Sequence, residues 1–198
     1  MALKSIAGDE SLDLAFRNAR SYNRWDPAPI GVDTIRSVFD LMKLGPTSAN
    51  CSPARFVFVR SKAAKTKLSN CVSKNNRVKV EQSAMTVLIG MDAAFADKLP
   101  YLVPHAPDAL RWFADPEVAR TIALRNSSLQ GAYFMIAARM MGLDCGPMSG
   151  FDQGKVDSAF FATTSVTTNF ICALGHGTTE QLFPRGPRLA FDEICRFE

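Results

Sequence analysis

The sequence predicts one domain of mixed helices and strands, of α+β or α/β type, spanning residues 1–198. Two kinds of apolar pattern lead there. Short unbroken runs rich in β-branched and aromatic residues, Arg55–Arg60 and Met85–Met91, predict buried strands. Longer stretches with helical spacing flank them, and no repeat or composition break divides the chain. A chain of 198 residues buries about 70% of its unfolded surface, enough for one substantial core.

The elements follow in order. Leu12, Ala15, Phe16 and Ala19 recur at helical spacing, as do Ile35, Val38, Phe39 and Met42, with Asp33 as the expected N-cap and Gly45 as the stop. The runs at 55–60 and 85–91 do not alternate in polarity, so both are expected in the centre of a sheet covered on two faces. Tyr101–Asp115 is rich in proline and aromatics and is read as a lid or loop with one helical turn. Asp115-Pro116 starts, and Gly142 stops, the longest helix, which spans about 39 Å at 1.5 Å per residue. The small, polar centre of that helix, Asn126–Ala132, predicts close backbone packing or a buried polar role. Gly146–Asp152 is read as a turn between helices, Asp152–Phe161 as a short helix, and Thr167–Leu174 as a third strand. From Gln181 onward Pro184, Gly186 and Pro187 predict an extended tail.

Composition narrows the function. Apolar residues make up 47% of the chain and the net charge is +4, with the cations spread out. No basic stripe with interleaved aromatics marks a nucleic-acid surface. Five cysteines without a CxxC and only two histidines, His105 and His176, argue against a disulfide framework and a zinc site. Met1–Asp13 lacks the apolar centre of a signal peptide, and the most apolar helical window, Gly131–Leu143, is broken by Arg139. A cytoplasmic protein without membrane segments is expected. No GxGxxG occurs, so a Rossmann dinucleotide domain is not expected.

Four segments carry candidate chemistry. Arg20-Ser21-Tyr22-Asn23 pairs a guanidinium with a hydroxyl, which suits a phosphate monoester. Pro46-Thr47-Ser48-Ala49-Asn50 offers two hydroxyls and an amide on a stiff loop, suited to a flat heterocycle and its polyol chain. Cys51 follows with no histidine near it in sequence and reads as a structural thiol. Met148-Ser149-Gly150 allows close backbone approach. Arg185 and Arg188 add cations in the tail.

The order of these segments, from Arg-Ser through PTSANCSP, RNSSLQGAYF and GLDCGPMSGFD to the arginine-bearing tail, resembles the FMN-dependent nitroreductase family over nearly the whole chain. Within that family it is similar to the malonic semialdehyde reductase/3-hydroxypropionate dehydrogenase-like branch of uracil degradation. The resemblance implies an α+β fold with a mainly antiparallel sheet flanked by helices, bound FMN, NADH or NADPH as electron donor, and a homodimer. It matches Arg20 and Arg188 to the family's phosphate-binding basic positions, sets Ser21 where the motif has a serine, and counts Tyr22 and Asn23 among the cofactor-binding residues. Pro46, Thr47, Ser48 and Asn50 fall in the loop reaching FMN, often across the dimer interface. Asn76 falls near the flavin ring, and Met148, Ser149 and Gly150 in the segment facing flavin N5. Asn23, Ala19 and Gly186 stand where basic residues are common, Ser52 where Gln is usual and Ser149 where Glu is common. Phosphate binding is therefore expected to lean on Arg20, Arg185 and Arg188. His105, Arg111, Trp112 and Phe113 of the lid are the expected substrate contacts. The implied reaction is two half-reactions through flavin N5, ending in reduction of malonic semialdehyde. A generalist nitro- or quinone reductase and a non-catalytic flavin-binding protein are the alternatives.

Overall fold

The computed structural model describes residues 5–198, so the first four residues of the Met1–Asp13 stretch lie outside it. Four antiparallel strands form one sheet in the order β1-β2-β4-β3, with β1 at Ala54–Val59, β2 at Met85–Asp92, β3 at Asp144–Met148 and β4 at Val166–Gly175. The fold is α+β, as expected.

Helices cover both faces, which explains why the central strands read as unbroken apolar runs. Along β2 the side chains alternate between two cores although nearly all are apolar. Leu88 joins Leu68, Val72, Val80 and Val156 on the face of α3 (Lys62–Ser69), α4 (Lys74–Gln82) and α7 (Gln153–Phe160). Val87 and Ile89 join Val38, Met42 and Phe134 on the face of α2 (Val32–Met42) and α6 (Pro116–Met140). β1 departs from expectation: it is an edge strand with a half-buried middle, not a central one.

Other differences have local causes. α2 is capped at Gly31, and Asp33 lies in its first turn with no side-chain cap bond. Gly45 lies past the end of α2, where an added Cβ would come within 2.1 Å of the Tyr133 ring, so close packing accounts for the glycine. α3 and α4 carry no apolar stripe and went unassigned in the sequence; α4 buries only Val80. β3 replaces the first half of the turn expected at 146–152. Its Pro147 is tolerated because β3 lies at the sheet edge. A short α1 (Asp9–Leu12) continues as a π-turn over Asp13–Arg17, leaving Ala19 beyond the helix.

The segment read as a lid is more ordered than expected. It holds α5 (Leu99–Leu102) and a 3-10 segment, Pro107–Phe113, over a third core of Phe95, Leu99, Val103, Ala109, Ala119 and Ala123. The tail runs without regular structure apart from α8 (Phe191–Ile194). No helix among the described residues is long and apolar enough to cross a membrane.

Candidate active site

The tail is laid across the segment that follows the first helix, and polar bonds hold it there. Asn23 Nδ2 donates to the Gln181 carbonyl at 3.1 Å, and Arg20 donates to the Phe183 carbonyl. Arg185 returns the contact, donating to the carbonyls of Arg17 and Ala19 at 2.6 and 2.9 Å. Between the two segments opens a cleft of about 560 Å³ that Ser21 also lines. Four of its lining residues are arginines, Arg20, Arg139, Arg185 and Arg188, and none is acidic. Such a concentration of guanidinium groups is chemistry for an anion with several acceptor oxygens.

The sequence reading missed Arg139 as a site residue; a lone cation within an otherwise apolar helical run was the available signal. Its Nη1 donates to the Ala15 carbonyl at 3.1 Å, while its Nε is buried without a partner. Tyr22 turns away from this chemistry. Its ring packs on Gly177, where a Cβ would come within 2.1 Å, and burial followed by Asp144 raises its hydroxyl pKa.

A second cleft, of about 480 Å³, shares Asn23 and Phe183 with the first and continues past Asn76 and Lys79 of α4. Burial lowers the pKa of Lys79, another cation that went unnoticed in a helix without an apolar pattern. Asn76 Nδ2 donates to the Gly150 carbonyl at 3.0 Å, and a Cβ at Gly150 would lie 2.7 Å from that nitrogen. The lack of a side chain at Gly150 is what lets the Asn76 amide approach its backbone. Ser149 and Gly150 are exposed, whereas Met148 is buried in β3. The two clefts thus meet at Asn23 and Phe183, and the second extends to Asn76.

The Pro46–Ser52 loop lines neither cleft. It is bound instead to the polar centre of α6: Ser48 N donates to Asn126 Oδ1 at 2.8 Å, Ala54 N to Gln130 Oε1 at 2.8 Å, and Tyr133 OH to the Pro46 carbonyl at 3.2 Å. Asn126 and Gln130 are buried, and Gly131 on the same helix lets the Phe170 ring approach where a Cβ would meet it at 2.4 Å. Both roles expected of this helix centre are present. Thr47 Oγ1 accepts from Ser52 N, and Asn50 Nδ2 donates to the Leu102 carbonyl at 3.0 Å, tying the loop to the lid. Ala49, Asn50 and Ser52 all have left-handed backbones, with φ of 48°, 49° and 39°. Burial raises the Cys51 thiol pKa, which suits a structural thiol.

The four lid candidates divide. His105, Arg111 and Trp112 are exposed, and Arg111 lies 3.9 Å from Asp108. Phe113 packs edge-on against Phe95 at 5.0 Å between ring centroids, which occupies it in the third core.

With this geometry in place, the nitroreductase family profile matches residues 16–176, which contain the whole sheet and both sides of the Asn76–Gly150 contact. The chain belongs to the nitroreductase family. A relative from Caulobacter vibrioides, described as a candidate NADH dehydrogenase/NAD(P)H nitroreductase, is 53% identical over 188 residues, covering 95% of this chain and 96% of its own. A similarly described Burkholderia lata protein is 52% identical over 191 residues, with 96% and 97% coverage. Among solved structures, a Bacillus subtilis protein described as a candidate nitroreductase superposes with a TM-score of 0.87 at 23% identity, covering 96% of this nitroreductase-family chain and 99% of its own. A candidate nitroreductase from Exiguobacterium sibiricum, solved in complex with FMN, gives 0.83 at 20% identity, with 99% and 100% coverage. These structures share the fold.

Proposed function

We propose that this nitroreductase-family chain is an FMN-dependent NAD(P)H oxidoreductase that works as a cytoplasmic homodimer and reduces malonic semialdehyde to 3-hydroxypropionate. One observation carries the cofactor assignment: the acid-free arginine cleft adjoins, at Asn23 and Phe183, a second cleft lined by Asn76 and Lys79, and the Asn76 amide in turn bonds the Gly150 carbonyl. That succession suits a phosphate at one end and a planar, hydrogen-bonding ring at the other. Arg139 adds a further guanidinium to the lining of the arginine cleft.

In this assignment Arg20, Ser21 and Arg188 hold the phosphate, and Arg185 keeps the tail across it. The Asn76 amide and the Gly150 backbone meet the ring edge. Thr47, Ser48 and Asn50, which line neither cleft of their own chain, are contributed to the site of a second copy. FMN held by these residues would supply the two-electron redox chemistry between nicotinamide and acceptor. The chain's part is to orient both reactants, exclude water and place charge where the acceptor develops it.

The aldehyde assignment rests on the PTSANCSP, RNSSLQGAYF and GLDCGPMSGFD segments and on the exposed His105 and Arg111 of the lid. An aldehyde accepts hydride well when a donor polarises its oxygen, and His105 is assigned that task. Arg111 is assigned the substrate carboxylate. The names of the relatives favour a second reading, a generalist nitro- or quinone reductase. Steady-state turnover of the FMN-loaded protein distinguishes the two. NAD(P)H oxidation driven by malonic semialdehyde, with 3-hydroxypropionate as product, is expected. Turnover of quinones and nitroarenes without any aldehyde turnover would establish the generalist. A purified protein that neither carries nor binds FMN would reject both.

A further inference from the structure

We infer that Arg139 is the inner cation of the phosphate site, binding the cofactor's phosphate from the side of α6. This rests on the FMN assignment above and narrows it to a guanidinium outside the candidate motifs. Arg139 stands in the last turn of α6 and lines the arginine cleft. The Ala15 carbonyl fixes one end of its guanidinium, yet Nε is buried with nothing to donate to. None of the ion pairs among the described residues includes Arg139. Asp144 feels its charge, but the Asp144 carboxylate accepts from Gly177 N at 2.8 Å instead.

Removing a cation from water without a countercharge is costly, so a half-buried, unpaired guanidinium calls for an anion. The neighbouring cations are already committed in part. Arg20 and Arg185 spend donors on the carbonyls of Phe183, Arg17 and Ala19, which makes them latches for the tail. Arg188 donates to the carbonyls of Gly186 and Pro187 next to it. Arg139 is the member of the set that lines the cleft without an ion-pair partner while the Ala15 carbonyl holds its plane. A phosphate monoester would supply its countercharge and acceptor oxygens together.

Flavins with and without the phosphate test this. Apo-protein is titrated with FMN and with riboflavin, following quenching of flavin fluorescence. Wild type is expected to bind FMN more tightly than riboflavin. Arg139→Gln, which keeps a donor for the Ala15 carbonyl, is expected to weaken FMN roughly ten- to a hundredfold and to leave riboflavin unchanged. Arg139→Lys should recover part of the preference for FMN, because the charge returns without the planar fork. Equal losses for both flavins would overturn the inference and make Arg139 a packing residue for the first helix. An unchanged FMN affinity would overturn it as well. If Arg139→Gln does not fold, Arg139→Lys alone decides, by losing affinity for FMN and none for riboflavin. A wild type that binds neither flavin would reject the FMN assignment itself.

Discussion

Replacing Asn126 with alanine tests whether α6 sets the shape of the Pro46–Ser52 loop. Asn126 is fully buried; its Oδ1 accepts from Ser48 N at 2.8 Å and its Nδ2 donates to the Ile122 carbonyl at 2.9 Å. Alanine leaves the Ser48 amide without its acceptor. An orphaned buried donor costs about 1–3 kcal/mol, and the partly buried setting of this bond places the loss near about 1–2 kcal/mol. For a chain of this size each kcal/mol lowers Tm by about 2–4 °C, so a fall of about 2–8 °C is expected. A second effect is separable from the first. Three residues of the loop hold left-handed backbones that non-glycine residues disfavour, so the loop keeps its shape only while its anchors hold. Thermal unfolding of the apo-protein reads the first effect, and FMN titration the second. A lower Tm with unchanged FMN affinity would refute the assignment of this loop to the cofactor. An unchanged Tm would refute the anchoring itself.

Two further outcomes follow from charge. Burial raises the Asp144 carboxyl pKa against the opposing Gly177 N–H bond, His176 and Arg139, so the folded state keeps this proton to higher pH than the unfolded state does. Asp144 therefore costs stability as pH rises from the ordinary carboxylate range through its raised value, and Asp144→Asn should melt higher than wild type at pH 7, with a gap that closes below about pH 4; thermal scans showing a constant gap would reject this. Arg111 is largely exposed beside Asp108, so Arg111→Ala should leave Tm unchanged while impairing turnover of the carboxylated aldehyde far more than of a neutral quinone; equal losses would reject the carboxylate role.

The elements legible in the sequence are those whose burial matches their period. β2 and β4 lie between two helical layers and read as apolar runs, and α2 and α6 combine helical spacing with clear ends. β3 was hidden because an edge strand does not need every backbone donor, so Gly146 and Pro147 could imitate a turn. α3 and α4 were hidden because their buried residues are too few to make a stripe. The same physics divides the site. Arg20, Asn23, Arg185 and Arg188 sit in loops, where a polar or charged side chain stands out, and the structure brings them into one cleft. Arg139 and Lys79 sit in helices, where a charged side chain ordinarily faces solvent, and only the packing around them reveals that they line clefts.

α6 also bears on whether a site belongs to one chain or two. Asn126, which anchors the loop, and Arg139, which lines the arginine cleft, are thirteen residues apart on one continuous helix. At 1.5 Å per residue their axial separation is about 20 Å, and no hinge lies between them to bring the loop over its own cleft. This supports a flavin clasped by the cleft of one copy and the loop of another. Under that arrangement Asn126→Ala damages the site in which its loop is used, and Arg139→Gln damages the site in which its cleft is used. Co-expressing the two variant chains would then produce mixed dimers in which one site inherits both lesions and the other inherits neither. Differently tagged chains, purified through both tags and titrated with FMN, should show one class of site at wild-type affinity and one far weaker. If each site is built within a single chain, every site in the mixed dimer carries one lesion and no wild-type class appears. That result would remove the shared-site arrangement while leaving the phosphate role of Arg139 to its own test.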